Sequence, residues 1–408
     1  MAIIAVLGTL DTKGHEHEFL AQRILERGHE TLLIDVGTGG APQVAVDISR
    51  EEVARAGGLD LAALMERGDR GECVAAMAQA APKLVAGLAQ KGRIQGLVSL
   101  GGGGGTSIAS AAMRALAVGF PKLMVSTLAS GDTAPYVGTS DIVMLPSIVD
   151  VAGLNHISRT IFSLAAGAIT GMVEVEVPVA GERQVVAASM FGNTTECVKA
   201  ATEILEAAGL EVLVFHSTGS GGRAMENLIE SSLVSAVLDI TTTEWADELV
   251  GGVLSAGAGR LEAAGRAGLP SIVAPGCLDM VNFGPRDSVP ARFEGRRFYQ
   301  HNPEVTLMRT DSDECAQLGR ILAEKLNAYR GPLTVLLPRG GLSVIGALGG
   351  PFHDPAADAA LFEALRADLR AGIEVIDLDC SINAPEFARA AAEALLQNLR
   401  RAAASEAT

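Results

Sequence analysis

The sequence predicts an α/β protein of two Rossmann-like, three-layer α/β/α domains with mostly parallel sheets, on three observations. Short continuous apolar runs at residues 2–8, 31–36, 96–100 and 121–127 alternate with stretches of helical spacing, as buried parallel strands and their crossover helices do. Of 408 residues 48% are hydrophobic and only 4% aromatic, so Ala, Val, Leu and Ile supply the cores. The order strand, glycine, polar turn, helix, glycine, strand also occurs twice, with Gly8, Gly28 and Asp35 answered by Gly192, Gly209 and His216. The two glycine spacings differ, 20 residues against 17, so a shared βαβ template accounts for the recurrence as well as a duplication does.

Residues 2–8 are the first strand, ending in Gly8-Thr9-Leu10-Asp11-Thr12-Lys13-Gly14. A helix over 18–27 carries Phe19, Leu20, Ile24 and Leu25 on its apolar face and stops at Gly28. The strand over 31–36 leaves through Asp35-Val36-Gly37-Thr38-Gly39-Gly40. Polar residues gathered at the carboxyl ends of strands mark the ligand edge of an open α/β sheet. A loop and short helix are expected over 57–69 and a longer helix over 69–91, interrupted at Pro82. After the strand at 96–100 come five glycines, then strands over 121–127 and 142–145, the first including Ser126 and leading to Asp132. A helix over 151–172 places Asn155, His156 and Arg159 to line a cleft or cap a neighbour. The acidic connector 174–183 is the expected boundary between a nucleotide-binding domain, residues 1–178, and a second domain, residues 184–408.

The second domain opens with a strand at 185–190, a helix over 198–208 and a strand over 211–215 that exits through Thr218-Gly219-Ser220-Gly221-Gly222. Further strands are expected at 234–240, 271–274, 305–309, 333–337 and 374–378. The polar material after them is concentrated at residues 239–244, 275–282, 301–302 and 339–341. Arg286, Arg292, Arg296 and Arg297 form a basic patch suited either to a second anionic ligand or to an ordinary salt-bridged loop. An alanine-rich helix over 384–404 closes the chain, suited to a domain or dimer seam.

A net charge of −16 argues against nucleic acid or an anionic membrane as partner, so an anionic ligand needs a local site. Five scattered cysteines without a C-x-x-C pair fit reduced thiols in a cytoplasm. The apolar start lacks a basic region and reads as a strand rather than a signal peptide. The uncharged run 94–113 is too rich in glycine and serine for a membrane span.

That run contains the main functional signal: an apolar strand, Gly101, Gly102, Gly103, Gly104 and Gly105, then Thr106 and Ser107 at a helix start. Bare backbone at a helix N-terminus brings N–H donors and a positive dipole end close to phosphate. No Lys precedes the threonine as a Walker A loop requires, and no GxGxxG fingerprint supports NAD. A flexible connection is the plainer reading. Lys13 could reach a phosphate, Thr9 and Thr12 could complete a cradle, and Asp11 could hold a magnesium ion; alternatively Asp11 and Thr12 cap a helix and Lys13 is a solvated charge. Asp35 occupies the position of a ribose-binding acid. No G-x-S-x-G or H-E-x-x-H is present, and His15 and His17 point to different faces of a helix.

Gly8-Thr9-x-Asp11-Thr12-Lys13, the five glycines with Thr106, residues 190–195, 216–226, 239–244 and 279–284, and His301-Asn302-Pro303 together resemble the bacterial and plant family of the N-terminal ATP-binding domain of the tomato mosaic virus resistance protein. The likeness runs over nearly the whole chain. It implies ATP on the first of two α/β subdomains, with the triphosphate on Gly102–Thr106 and on Thr9, Asp11 and Lys13, and a homodimer. Asp379-Cys380-Ser381-Ile382-Asn383-Ala384 departs from the more polar stretch associated with relatives, and carries no assigned role.

Three functions follow as alternatives. One is an ATP-binding enzyme acting on a small metabolite at an interdomain cleft, with Asp239, Thr241, Glu244, Asp279 and Asn282 as cleft residues and Asp239, Glu244, Asp279 and His216 as catalytic candidates. Another is a non-catalytic dimer that senses nucleotide. The third is a metabolite enzyme whose glycine loop holds a substrate phosphate.

Overall fold

A computed structural model describes residues 1–177 and 183–406. The chain falls into two compact units, residues 1–178 and 179–408. Within the expected connector 174–183, residues 178–182 lie outside the described residues.

The first unit has five parallel strands, β1 (Ile3–Gly8), β2 (Glu30–Asp35), β3 (Gly96–Gly101), β4 (Lys122–Ser126) and β5 (Val143–Pro146), in the order β2-β1-β3-β4-β5. Alternate β1 residues feed two cores. Ile4 and Val6 pack with Leu20, Ile24 and Phe162, whereas Ala5 and Leu7 pack with Met77, Val85 and Ile108. Burial on both faces is why the strand reads as an unbroken apolar run. The chain steps from β1 outward to β2 and returns across the sheet to β3. The loops leaving β1 and β3 therefore diverge at a topological switch point, where the carboxyl edge of such a sheet opens a crevice.

The second unit carries six parallel strands, β6 (Val185–Met190), β7 (Glu211–His216), β8 (Ala236–Thr241), β9 (Ser271–Gly276), β13 (Leu333–Pro338) and β14 (Glu374–Leu378). Their order, β7-β6-β8-β9-β13-β14, is that of the first unit with one strand added. Between β9 and β13 the chain forms a small antiparallel sheet from β10 (Met280–Phe283), β11 (Phe298–Asn302) and β12 (Val305–Arg309). The segment 305–309 is thus a strand as expected, but of this inserted sheet. The expected polar turns at 280–282 and 301–302 are strands beside it.

Several boundaries differ from the sequence reading. The first helix spans Leu10–Leu25, starting one residue after Thr9 instead of at 18, with a break at Lys13 (φ −134°, ψ 30°). The glycines do not form a loop: β3 ends at Gly101 and the next helix is Gly103–Arg114, so three glycines make a first helical turn. Pro82 lies inside an unbroken helix Arg70–Gln90, where burial of Ala80, Ala81 and Val85 outweighs the lost hydrogen bond. A helix Arg50–Gly57, capped reciprocally by Ser49 and Glu52, was not anticipated. Asn155 caps its own helix, His156–Glu174, so the expected start at 151 moves five residues on, beyond a loop. All five cysteines are free. Among the described residues no helix is long and apolar enough to cross a membrane.

Candidate functional site

At the switch point of the first unit lies a cavity of about 680 Å³. Its walls are the turn after β1 (Thr9, Asp11, Thr12, Lys13), the loop after β2 (Val36, Thr38, Gly39) and the glycines Gly102, Gly103, Gly104 and Gly105. The first helical bond of Gly103–Arg114 runs from Thr106 N–H to the Gly102 carbonyl at 2.8 Å, so the N–H groups of Gly103, Gly104 and Gly105 precede the intrahelical ladder. They stand at the positive end of a 12-residue helix. Apolar Met65, Val74 and Ile108 line another side.

Buried polar contacts shape this rim. Asp35 Oδ1 accepts the N–H groups of Leu10 (3.0 Å) and Gly37 (2.8 Å), tying the end of β2 to the start of the first helix. Burial pushes its carboxyl above the usual range, against those hydrogen bonds. Asp11 Oδ2 accepts Gly39 N–H at 2.6 Å and Gly40 N–H at 3.3 Å, while Asp11 Oδ1 is buried with no partner among the described residues. His17 is fully buried: Nδ1–H donates to the Lys13 carbonyl (2.7 Å) and Nε2 accepts Leu100 N–H (3.3 Å). Burial lowers its pKa, so the neutral ring bridges β3 to the break at Lys13. A Cβ on Gly8 would sit 2.1 Å from His17 Nε2, which explains that glycine. Lys13 Nζ donates to the Val151 carbonyl, leaving two ammonium protons for another partner. Thr12 Oγ1 donates to Thr9, with its hydroxyl 3.1 Å away.

The structure brings Thr9, Asp11, Thr12, Lys13 and Gly102–Gly105 to one cavity and puts the other named residues elsewhere. Asp35 and Gly37 stand behind the rim, bonded to each other. Gly101 ends β3, and a Cβ there would meet Gly105 Cα at 3.1 Å. Thr106 is buried with its hydroxyl 2.7 Å from that of Ser126, bracing helix to β4, so this hydroxyl does not face the cavity; Ser107 follows it along the helix without lining the cavity. Ser126 lines a neighbouring cavity, and Asp132 Oδ1 accepts Ala134 N–H at 3.0 Å on a further loop. The sequence reading missed Arg70 and Asp150. Arg70 opens its helix at the cavity wall and has no ion-pair partner among the described residues, and Asp150 follows β5. Neither belongs to a motif, and only tertiary placement brings them in.

In the second unit Asp239 and Glu244, named as catalytic candidates, are engaged by a cation that the sequence reading overlooked. Arg260 is 1% exposed. Its Nη1 and Nη2 donate to Asp239 (2.6 and 2.7 Å), its Nε to Glu244 Oε2 (2.8 Å), and Nη1 also to Glu226 (3.2 Å). Burial opposes its charge, but the three carboxylates outweigh that and raise its pKa further. Glu244 Oε1 accepts N–H groups of Gly219 (2.7 Å) and Gly222 (3.0 Å). Asp279 is fully enclosed: Oδ2 accepts the Ser343 hydroxyl at 2.6 Å, Oδ1 has no partner among the described residues, and burial raises the pKa of its carboxyl. Asn282 donates to Asp247 (2.7 Å), and the Thr241 and Thr194 hydroxyls meet at 2.8 Å. His216 is exposed at the end of β7, its ring 5.5 Å from Phe191. The basic patch takes the ordinary form: Arg296 pairs with Glu314 (2.6 Å), Arg297 with Asp354 (3.7 Å), and Arg286 and Arg292 lie over Phe298 and Phe293. Among the described residues no group of three or more His, Cys, Asp or Glu is placed to hold a metal ion.

Residues 2–178 match the N-terminal domain, and residues 183–399 the C-terminal domain, of uncharacterised protein family UPF0261. A UPF0261 protein of Clostridium tetani is 48% identical over 400 residues, covering 98% of this chain and 99% of the relative. One from Rhizobium meliloti is 49% identical over 399 residues, covering 97% and 98%. The ToMV susceptible protein tm-1(GCR26) of Solanum lycopersicum is 37% identical over an alignment of 416 positions that covers 96% of this chain and 55% of that protein. The chain belongs to the UPF0261 family, and the tomato proteins share its ancestry.

Proposed function

We propose that the first unit binds ATP, with the phosphates on the N–H groups of Gly103, Gly104 and Gly105 and on the Lys13 ammonium, and the base toward Val36, Met65, Val74 and Ile108. One observation carries this reading. None of Gly102, Gly103, Gly104 and Gly105 has a positive φ. A Cβ at Gly103 would meet nothing within 4 Å; at Gly102 and Gly105 it would find only ordinary contacts of 3.7 and 3.6 Å, and at Gly104 one of 3.4 Å to Val74. Neither backbone conformation nor internal packing needs these glycines, although Gly103, Gly104 and Gly105 each destabilise a helical turn by about 1 kcal/mol relative to alanine. Close approach by something outside the chain accounts for them, and N–H donors at a helix N-terminus suit an anion.

The cationic groups agree. In a chain of net charge −16, Lys13 and Arg70 both line this cavity. A triphosphate meets them there without crossing the acidic surface alone. Magnesium carried by the nucleotide would find the Asp11 carboxylate on the cavity wall as an oxygen ligand once its buried Oδ1 turned toward the cavity.

Calorimetry with MgATP and, separately, ribose 5-phosphate tests the reading on the whole chain. ATP is expected to bind and ribose 5-phosphate to bind far more weakly, and Lys13→Ala to weaken ATP by about tenfold, the scale of one charge-assisted contact. Preferential binding of the sugar phosphate would replace ATP with a substrate phosphate. ATP affinity unchanged in both Lys13→Ala and Gly103→Val would remove the site assignment.

A further inference from the structure

A second cavity, of about 370 Å³, follows the ends of β4 and β5, and Asp150 lines both it and the larger one. Asp150 is exposed and makes no hydrogen bond or ion pair among the described residues. The residue after it, Val151, receives the Lys13 ammonium on its carbonyl. The cation proposed to meet the phosphates is therefore pinned one residue from the carboxylate shared by the two cavities.

The turn that carries Asp150 is built for position. Ile148 has φ +65°, a region that a β-branched residue rarely enters, and its side chain is 73% exposed, so packing does not hold it there. Two hydrogen bonds do: Val149 N–H donates to the Ser147 carbonyl (2.7 Å) and Ser147 Oγ–H to the Val149 carbonyl (2.6 Å). Such conformations persist where the surroundings over-determine them, and they gather at functional sites.

The rest of the second cavity is hydroxylic and uncharged. Ser126, Thr127, Ser130 and Ser147 line it with the apolar Ile148 and Val149, and Asp150 is its one charged residue. With no cation to receive a carboxylate or phosphate, it suits a neutral molecule bearing several hydroxyls.

We infer that the first unit is a phosphotransferase, which passes the terminal phosphoryl group of ATP to a hydroxyl of a small neutral polyol in the second cavity, with Asp150 as the base. This rests on the nucleotide reading above. The acceptor oxygen forms its bond to the γ-phosphorus as the bond from that phosphorus to the β,γ-bridging oxygen breaks. ADP leaves with those electrons, and the hydroxyl proton passes to the Asp150 carboxylate and then to solvent. The products are ADP and a phosphomonoester. Lys13 and the glycine N–H groups hold the phosphates in line, and without acceptor a water in the second cavity takes its place slowly.

The test follows MgATP by ADP formation and by ³¹P NMR, with glycerol, erythritol, ribitol and myo-inositol as acceptors and with none. A phosphomonoester on at least one polyol, above slow phosphate release without any, is expected. Asp150→Asn should cut ADP formation by about 100-fold, the lower range for general-base catalysis, with ATP affinity within about threefold of wild type. Ser130→Trp, which fills the second cavity away from the nucleotide, should suppress polyol transfer at unchanged ATP affinity. Bound ATP with no ADP formed under any condition, release of inorganic phosphate only at a rate no polyol changes, or turnover indifferent to Asp150→Asn overturns the inference and leaves nucleotide binding standing. Absence of ATP binding in wild type removes both.

Discussion

The two units use the same strand order and both begin a helix with clustered glycines, yet the glycines answer to opposite needs. In the second unit the helix Ser220–Glu230 starts beside Gly219, Gly221 and Gly222, and the chain's own atoms fill the space: a Cβ on Gly222 would fall 2.1 Å from Glu244 Oε2, and one on Gly221 1.8 Å from the His216 carbonyl oxygen. The anion for these N–H groups is built in. Glu244 accepts from Gly219 and Gly222 and is neutralised by Arg260. In the first unit a Cβ on Gly103 would meet nothing within 4 Å, and the glycines line a cavity instead of an internal carboxylate. A glycine cluster with an internal carboxylate is architecture; one that faces a cavity beside Lys13 and Arg70 is a place for an external anion.

Breaking the internal arrangement should have the largest effect. Arg260→Met leaves Asp239, Glu244 and Glu226 buried without their common cation, and loss of one partner of a buried ion pair typically costs about 3–5 kcal/mol. The only tryptophan, Trp245, is buried next to Glu244 and reports on this unit alone. Its fluorescence in urea should show the second unit unfolding at far lower denaturant in Arg260→Met, with ATP still bound by the first. Equal stability of the variant would mean that the carboxylates take up protons or solvent in place of the guanidinium, and the contrast between the units would lose its electrostatic basis.

Asp247 gives a pH dependence to the same unit. Burial pushes its carboxyl up to about 7, although Asn282 and the Leu254 N–H donate to it. In the unfolded chain an aspartate titrates near 4, so between about pH 4 and 7 the folded state holds a proton that the unfolded state has lost. Stability from this group is therefore full below about pH 4, falls as pH rises to about 7, and is flat beyond. The shift corresponds to a few kcal/mol at most, since one pKa unit is about 1.4 kcal/mol. Asp247→Asn should flatten the profile, and a side-chain flip of Asn282 would turn its Oδ1, which has no partner among the described residues, to the new amide. A slope unchanged in Asp247→Asn assigns the titration to another group.

The sequence exposed the frame because buried parallel strands write themselves as apolar runs: β14, Glu374–Leu378, and β7, Glu211–His216, stand within one residue of their expected limits. The glycine turn and the Thr9–Lys13 turn were legible as one edge for the same reason, since each directly follows such a strand. The start of the first helix was not: Leu10 begins it because Asp35, 25 residues on, accepts its N–H, and no local pattern carries that contact. Asp239 and Glu244 looked reactive because they are polar after a strand, whereas Arg260 lies in a loop with no periodicity to announce it. Arg70 and Asp150 were hidden likewise, each an ordinary charged residue until the sheet order brought its loop to the cavity.

The smallest expected change separates the two glycine clusters most cleanly. Gly103→Ala adds a methyl where nothing lies within 4 Å, at a position with ordinary helical geometry. Alanine removes backbone freedom from the unfolded chain and favours the first turn, so the first unit should gain about 0.5–1 kcal/mol, read as a higher denaturation midpoint by far-ultraviolet circular dichroism without nucleotide. The same methyl stands in the space left for phosphate, so MgATP should bind more weakly while the apo protein is more stable. Gly222→Ala should show the reverse sense in its own unit, losing stability against Glu244 with no effect on ATP. Were Gly103→Ala to lower stability instead, the glycine would have a structural duty that its surroundings do not show, and bare backbone there would no longer point to a ligand.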